Sequence, residues 1–318
     1  MKQKIFVATP LPEKTIIELN QNFDCTFNDT STLLEGLKAQ GIHQYKGIVT
    51  LLSDTIDEYF FDANPSIDIV ANYAVGYNNI DVQAATKNGV VVTNTPGVLT
   101  QTSADTAFAL LMATARKITR GSRLARSGQW RGWEPTQLLG TDIYGAHIGI
   151  IGLGRIGKAM AKRAQGFDMK ISYWNRTRLS KEEEEKTKLH YMPLDELLQT
   201  VDFISLHIAY NQDTHHLINA QRLDLIKPTA FIINTARGAV IDEQALIQCL
   251  EQNKIAGAGL DVFENEPFIP EALRELENTV ILPHMGSASL KTREAMGDLV
   301  IQNLSAFFNG KKPINPVN

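Results

Sequence analysis

Gly152-Leu153-Gly154-Arg155-Ile156-Gly157 follows the apolar run AHIGII and precedes a segment in which Ile156, Ala159, Met160, Ala164 and Phe167 fall on one helical face. A strand, a tight glycine turn and an amphipathic helix in that order make the opening of a βαβ unit. Each glycine has a physical reason to be there. Gly152 permits the tight turn, Gly154 lets backbone approach a pyrophosphate, and Gly157 lets helix and strand pack closely. The helix N-terminus adds unpaired N–H groups facing the anion, so the turn is read as a dinucleotide-binding one.

The alternation of strand and helix extends along the chain. KIFVATP, DCTFN, GIVTLL, DIVANYAV and VVVTNTP occupy the first hundred residues, and AHIGIIG, KISYWN, DFISLH, AFIINT, IAGAGLDV and TVILPHM follow from residue 146. Continuous apolar strands joined by helical crossovers require parallel sheets covered on both faces, which predicts two doubly wound α/β units. Between them, Thr102 to Gly121 reads as a single connecting helix. Leu290 to Phe308 reads as a final amphipathic helix, and the run Glu182 to Glu185 as a solvated helix start.

A length of 318 residues suits two domains with large cores. The formal net charge of −4 gives no clustered positive field for nucleic acid or an anionic membrane, so a small-molecule ligand is expected. Cys25 and Cys249 are far apart, without metal-ligand or disulfide spacing, and adjacent His215 and His216 do not converge on one ion. No metal site is expected. With no apolar run of membrane length and no leader pattern, the expected location is the cytoplasm.

The second strand of the later series ends in Asn175-Arg176-Thr177-Arg178, where an NAD-binding unit would carry a carboxylate for the ribose hydroxyls. Asparagine removes the repulsion of a 2′-phosphate, and two arginines with a threonine hydroxyl suit that group. NADP is therefore the expected cofactor, with NAD still possible if Asn175 bonds the ribose. Beyond later strands stand Arg237 in INTARG, Glu266 in DVFENEP and His284 in ILPHMGS. Ligands of open α/β sheets bind at the strands' carboxyl ends, so an arginine, a carboxylate and an imidazole there form a candidate catalytic set.

With GLGRIG, NTARG, DVFENEP and PHMGS in this order, the sequence resembles the D-isomer-specific 2-hydroxyacid dehydrogenases across nearly its full length. VGYNNID, WRGWEPTQLLGTDIYG and NRTR are similar to the glyoxylate/hydroxypyruvate reductase branch. The resemblance implies that His284 is the acid/base, that Glu266 pairs with it, and that Arg237 holds the substrate carboxylate and polarises the keto oxygen. It implies substrate contacts from Leu52, with Leu51 beside it, and from the backbone of Val75 and Gly76. Implied cofactor contacts are Thr106, Arg155, Ile156, Thr235, Ala236, Arg237, Asp261, His284 and Gly286, Asp261 being equally readable as a loop cap.

It further implies that a Rossmann dinucleotide-binding domain, residues 100–285, is inserted into a flavodoxin-like substrate domain formed by residues 1–99 and 286–318. The segment around Trp130 and Trp133 becomes the arm of a homodimer. Glyoxylate or hydroxypyruvate is the expected substrate; 2-ketogluconate, D-lactate and D-3-phosphoglycerate are alternatives within the family. A dinucleotide-sensing corepressor is the alternative of another class. Pro283, where related formate dehydrogenases carry Gln, argues against formate.

Overall fold

A computed structural model describes residues 2–30, 32–40 and 44–318, and the chain divides into two units, 1–99 with 288–318 and 100–287. In the first unit the strands are β1 (Lys4–Val7), β2 (Asp24–Phe27), β3 (Gly47–Thr50), β4 (Ile69–Asn72) and β5 (Val91–Thr93). They pair in the order β2-β1-β3-β4-β5, all parallel. Phe6, Ile48, Val70 and Val92 face one buried cluster, completed by Leu37, Tyr45, Phe61 and Ala85. The helix Leu290–Phe308 packs on the helix Glu13–Asn22 and on β4. Their approach is close enough that a Cβ on Gly297 would lie 2.2 Å from the Thr15 hydroxyl. The chain end returns to the sheet edge: Val317 N–H donates to Val92 O at 2.9 Å, and Val92 N–H to Asn318 Oδ1 at 2.9 Å.

The second unit contains β6 (His147–Ile151), β7 (Lys170–Trp174), β8 (His190–Tyr191), β9 (Phe203–Leu206), β10 (Phe231–Asn234), β11 (Gly257–Leu260) and β12 (Thr279–Ile281). Their order is β12-β11-β10-β9-β6-β7-β8, again all parallel. Alternate strand residues point to opposite faces. Ile204, Leu206 and Ile232 join one apolar cluster with Leu197 and Leu246, and Ile148, Ile150 and Ile233 join another with Phe108, Leu111 and Met160. The order of strands reverses direction between β6 and β9, the kind of switch point where a doubly wound sheet opens a crevice at its carboxyl edge.

Two sequence expectations change and one strand is added. Instead of one connecting helix there are two, Thr100–Ala115 and Ile118–Arg126, parted at Lys117 with φ 53°. The break has a tertiary cause: Ala115 O accepts the Thr141 N–H at 2.9 Å, so that carbonyl is committed outside the helix. The two-residue strand β8 was too short to show a period. The acidic run does begin a helix, Lys181–Thr187, with Ser180 and Glu183 forming a capping box, but Glu184 is not merely solvated; it bonds Arg178 and Tyr173. Among the described residues no helix is long and apolar enough to cross a membrane.

Candidate dinucleotide and acid–base site

Five strands of the second sheet end at the same edge, and each sends one turn of the candidate site. After β6, Gly152 has φ 95°, and a Cβ there would lie 2.6 Å from His207 O at the end of β9. A Cβ on Gly157 would lie 2.1 Å from Gly152 O, so the turn and the first helical turn touch backbone to backbone. Among the described residues Gly154 has nothing within 4 Å of that position, which leaves the outer side open. The helix Arg155–Gln165 starts at Gly154 with no side-chain cap, which leaves its first N–H groups and positive dipole end available to an anion.

Asn175, after β7, ties two parts together. Its Oδ1 accepts the Leu153 N–H of the glycine turn at 3.3 Å, and its Nδ2 donates to Thr177 O at 2.9 Å. Arg176 and Thr177 are exposed. Arg178 is differently placed: its Nε and Nη2 each donate to Glu184 at 2.8 Å.

At the end of β10, Asn234 builds the next turn by accepting from Ala236 N–H at 3.0 Å and donating to Arg237 O at 2.9 Å. Thr235 Oγ1 is buried and has no partner among the described residues, an orphaned polar atom beside the glycine-turn edge of the sheet. Arg237 Nη1 donates to Ala236 O at 2.7 Å. Burial lowers the Arg237 pKa from its ordinary value and Glu266 opposes that shift, so the guanidinium stays charged. Gly238 is pressed against the next turn: a Cβ there would be 1.9 Å from the Phe263 carbonyl carbon.

That turn follows β11. Glu266 Oε1 accepts the Phe263 N–H at 3.0 Å, and Glu243 Oε2 accepts the Glu264 N–H at 3.2 Å. Asp261, almost fully buried, accepts the N–H groups of Met285 and Gly286, each at 2.7 Å. Its pKa is raised by burial, against the lowering effect of those bonds. These bonds make Asp261 the cap of the turn after β12. There His284 has φ 51°, and its Nδ1 lies 2.6 Å from Glu266 Oε2. For Glu266, burial would raise the pKa, but the hydrogen bond and charge of His284, the Phe263 N–H and Arg237 together bring it below the ordinary value. Thr106 Oγ1 lies 3.4 Å from Gly286 O, which brings those two predicted contacts together.

In the first unit, Asn94 Nδ2 donates to Val75 O and Asn72 Nδ2 to Gly76 O, both at 2.8 Å, while among the described residues the N–H groups of Val75 and Gly76 have no partner. Leu52 lies in the turn after β3. Asn79 anchors that turn by donating to Leu51 O at 3.0 Å and Asp54 O at 2.9 Å, and Asp81 caps the helix Val82–Lys87.

Sequence reading missed Asn234, Gly238, Glu243 and Asn79. Three of these stand inside quoted motifs, but the groups that Gly238, Glu243 and Asn79 meet are distant in sequence. His216 pairs with Glu264 at 3.0 Å, and no group of three metal-ligating side chains occurs among the described residues.

The open Gly154 side, the uncapped helix start and the orphaned Thr235 hydroxyl fit a dinucleotide. The D-isomer specific 2-hydroxyacid dehydrogenase, NAD binding domain family matches residues 108–286. Glyoxylate reductase of Pyrococcus horikoshii is 48% identical over 323 aligned positions, covering 100% of this chain and 96% of that protein. Its counterpart in Thermococcus onnurineus is 47% identical with the same coverage. The solved NADPH-dependent glyoxylate/hydroxypyruvate reductase of Sinorhizobium meliloti, in complex with NADP and malonate, superposes with a TM-score of 0.90 at 36% identity, over 100% of this chain and 97% of that one. The turns at the carboxyl edge, the two parallel sheets and these full-length likenesses agree: the chain belongs to the D-isomer-specific 2-hydroxyacid dehydrogenases and is an NAD(P)-dependent oxidoreductase.

Proposed function

We propose that this dehydrogenase reduces glyoxylate or hydroxypyruvate to the corresponding 2-hydroxy acid, with NADPH as preferred reductant and NADH also used. The observation that carries the reading is the His284–Glu266 pair at 2.6 Å on the strand edge that also bears Arg237 and the glycine turn. When bound, the reduced nicotinamide supplies the hydrogen and electron pair that reach the keto carbon.

The remaining work falls to the chain. His284, its Nδ1 committed to Glu266, is left with Nε2 to give a proton to the developing alkoxide. The Glu266 carboxylate, 2.6 Å from Nδ1, fixes the ring orientation. Arg237 holds the substrate carboxylate through its planar fork and polarises the carbonyl oxygen. Leu52 and the N–H groups of Val75 and Gly76 are the proposed substrate contacts of the first unit. Gly152, Gly154, Arg155, Ile156, Gly157, Asn175, Arg176, Thr177, Thr235, Ala236 and Gly286 are the proposed cofactor contacts, with Thr106 beside Gly286. The glyoxylate and hydroxypyruvate reductases among the relatives support this choice over larger keto acids.

The same reading makes the protein a cytoplasmic homodimer. Support comes from the two unbonded cysteines and from Trp133, Tyr144 and Leu139, which are 81%, 73% and 63% exposed. Sedimentation at twice the chain mass is expected; a monomer would remove the dimer. The activity test is a grid of initial rates crossing NADPH and NADH with glyoxylate, hydroxypyruvate, pyruvate and 2-ketogluconate. The first two acids with NADPH should give the highest kcat/KM, and no oxidation with any acid would overturn the assignment.

A further inference from the structure

The sequence offers two arginines for a 2′-phosphate, and their surroundings differ. Arg176 is exposed and among the described residues has no partner. Arg178 has its Nε and Nη2 on the two oxygens of Glu184, both at 2.8 Å. That occupies the side-on edge of the guanidinium and pairs its charge with a carboxylate, so a phosphate would meet only the end-on edge of an already neutralised group. Its carbon also stands 4.9 Å from the centre of the Tyr191 ring. Glu184 has only 13% of its side chain exposed, and its Oε1 also accepts the Tyr173 hydroxyl at 2.7 Å. Tyr173 Oη in turn accepts the Leu179 N–H at 2.8 Å.

Resting on the NADPH reading above, we infer that Arg176 alone reads the 2′-phosphate, and that Arg178, clamped by Glu184, is a positioning residue that holds the loop 175–179 in shape for either cofactor. The chain of bonds carries that role. Tyr173 belongs to β7, Tyr191 to β8 and Glu184 to the helix Lys181–Thr187, so Arg178 and Leu179 pin the loop to three separate elements. Asn175 pins its other end to the glycine turn through Leu153. Between the pins only Arg176 and Thr177 project freely. Hydrogen bonding from Arg178, with Tyr173 adding to it, brings the Glu184 pKa down to about 2 against the opposing effect of burial, so the clamp is ionised in any ordinary assay. A clamp that orders the loop in advance removes an ordering cost from binding, and that cost is the same for both cofactors.

The test is a fluorescence titration of NADPH and NADH against the intact protein and the variants R176A, R178A and E184Q, with melting temperatures recorded for each. R176A should weaken NADPH by about tenfold or more and leave NADH within about twofold, because only one charge-assisted contact is lost. R178A and E184Q should each weaken both cofactors by a similar factor and keep the NADPH to NADH ratio within about twofold of the parent. E184Q retains the side-chain shape and covers the case in which R178A fails to fold. A selective loss of NADPH in R178A, matching R176A, would overturn the strut and restore Arg178 as a second reader. Equal affinity of the parent protein for the two cofactors would instead overturn the NADPH reading. The strut then stands if R178A and E184Q weaken NADH and falls if they leave it unchanged.

Discussion

His284 Nδ1 and Glu266 Oε2 are 2.6 Å apart, and the other Glu266 oxygen accepts the Phe263 N–H at 3.0 Å. The carboxylate is held by its own turn, so it can fix the imidazole rather than follow it. A ring with one nitrogen committed in this way presents the other to substrate.

Replacing His284 by Ala should lower kcat by about 10²–10⁴-fold, the usual worth of a positioned general acid, with NADPH affinity nearly unchanged. Glu266→Gln keeps the acceptor but loses the charge, and should lower kcat by a smaller factor. Steady-state kinetics with glyoxylate, beside a cofactor titration, checks both; an unchanged kcat in H284A would remove it from the acid role.

Asp261→Asn offers one acceptor oxygen where two N–H groups now bond a carboxylate. Leaving one buried donor unpaired costs about 1–3 kcal/mol, which for a chain of this size lowers the melting temperature by a few degrees. Because the two donors directly follow His284, kcat should fall with it. Calorimetry and kinetics on the same preparation would show the two losses together, and a fall in neither would contradict the capping role.

Gly238→Ala places a methyl 1.9 Å from the Phe263 carbonyl carbon. Neither backbone can yield freely, since Glu264 N–H is tied to Glu243 and Asn234 is tied to Arg237 O. Overpacking of this kind costs about 1–3 kcal/mol, and it should also lower kcat/KM by displacing Arg237 relative to Glu266. Denaturant unfolding measures the first effect and initial rates the second. Parent-like values in both would show that the turns move independently.

His147 is buried, with its Nε2 2.8 Å from Ser172 Oγ, and burial lowers its pKa to about 4. Between that value and the unfolded one near 6.5 the unfolded chain binds more protons, so this contribution to stability is full above about pH 6.5 and lost as pH falls toward 4. Each unit of the shift is worth about 1.4 kcal/mol. Melting curves from pH 7 to 4.5 should fall more steeply for the parent than for His147→Gln. Parallel curves would show that His147 is not the group responsible.

Much of the fold was legible in the residues. The stretches 148–151 of β6 and 231–233 of β10 are apolar because a parallel sheet buries both faces, and a continuous apolar run of nearly strand length is easily read. The final helix ends where its spacing does, at Phe308. The break at Lys117 was not legible, because its cause is the Thr141 N–H, twenty-four residues beyond it. Likewise Glu184 reads as one of four solvated glutamates until Tyr173 and Arg178 are brought to it.

Sequence alone determined the kinds of groups delivered to the sheet edge: the glycine turn, the arginines, the carboxylates and the imidazole. Those identities follow from local chemistry, since a glycine that must accept φ 95° or a side chain that must carry a proton has few substitutes. The tertiary structure decided what each group is free to do. It spent both Asp261 oxygens on backbone, gave Glu266 to His284, closed Glu184 on Arg178 and left Arg176 open. Hydrogen bonding and burial depend on which atoms meet across the folded chain, and for these pairs the meeting is set by the order of strands in the sheet.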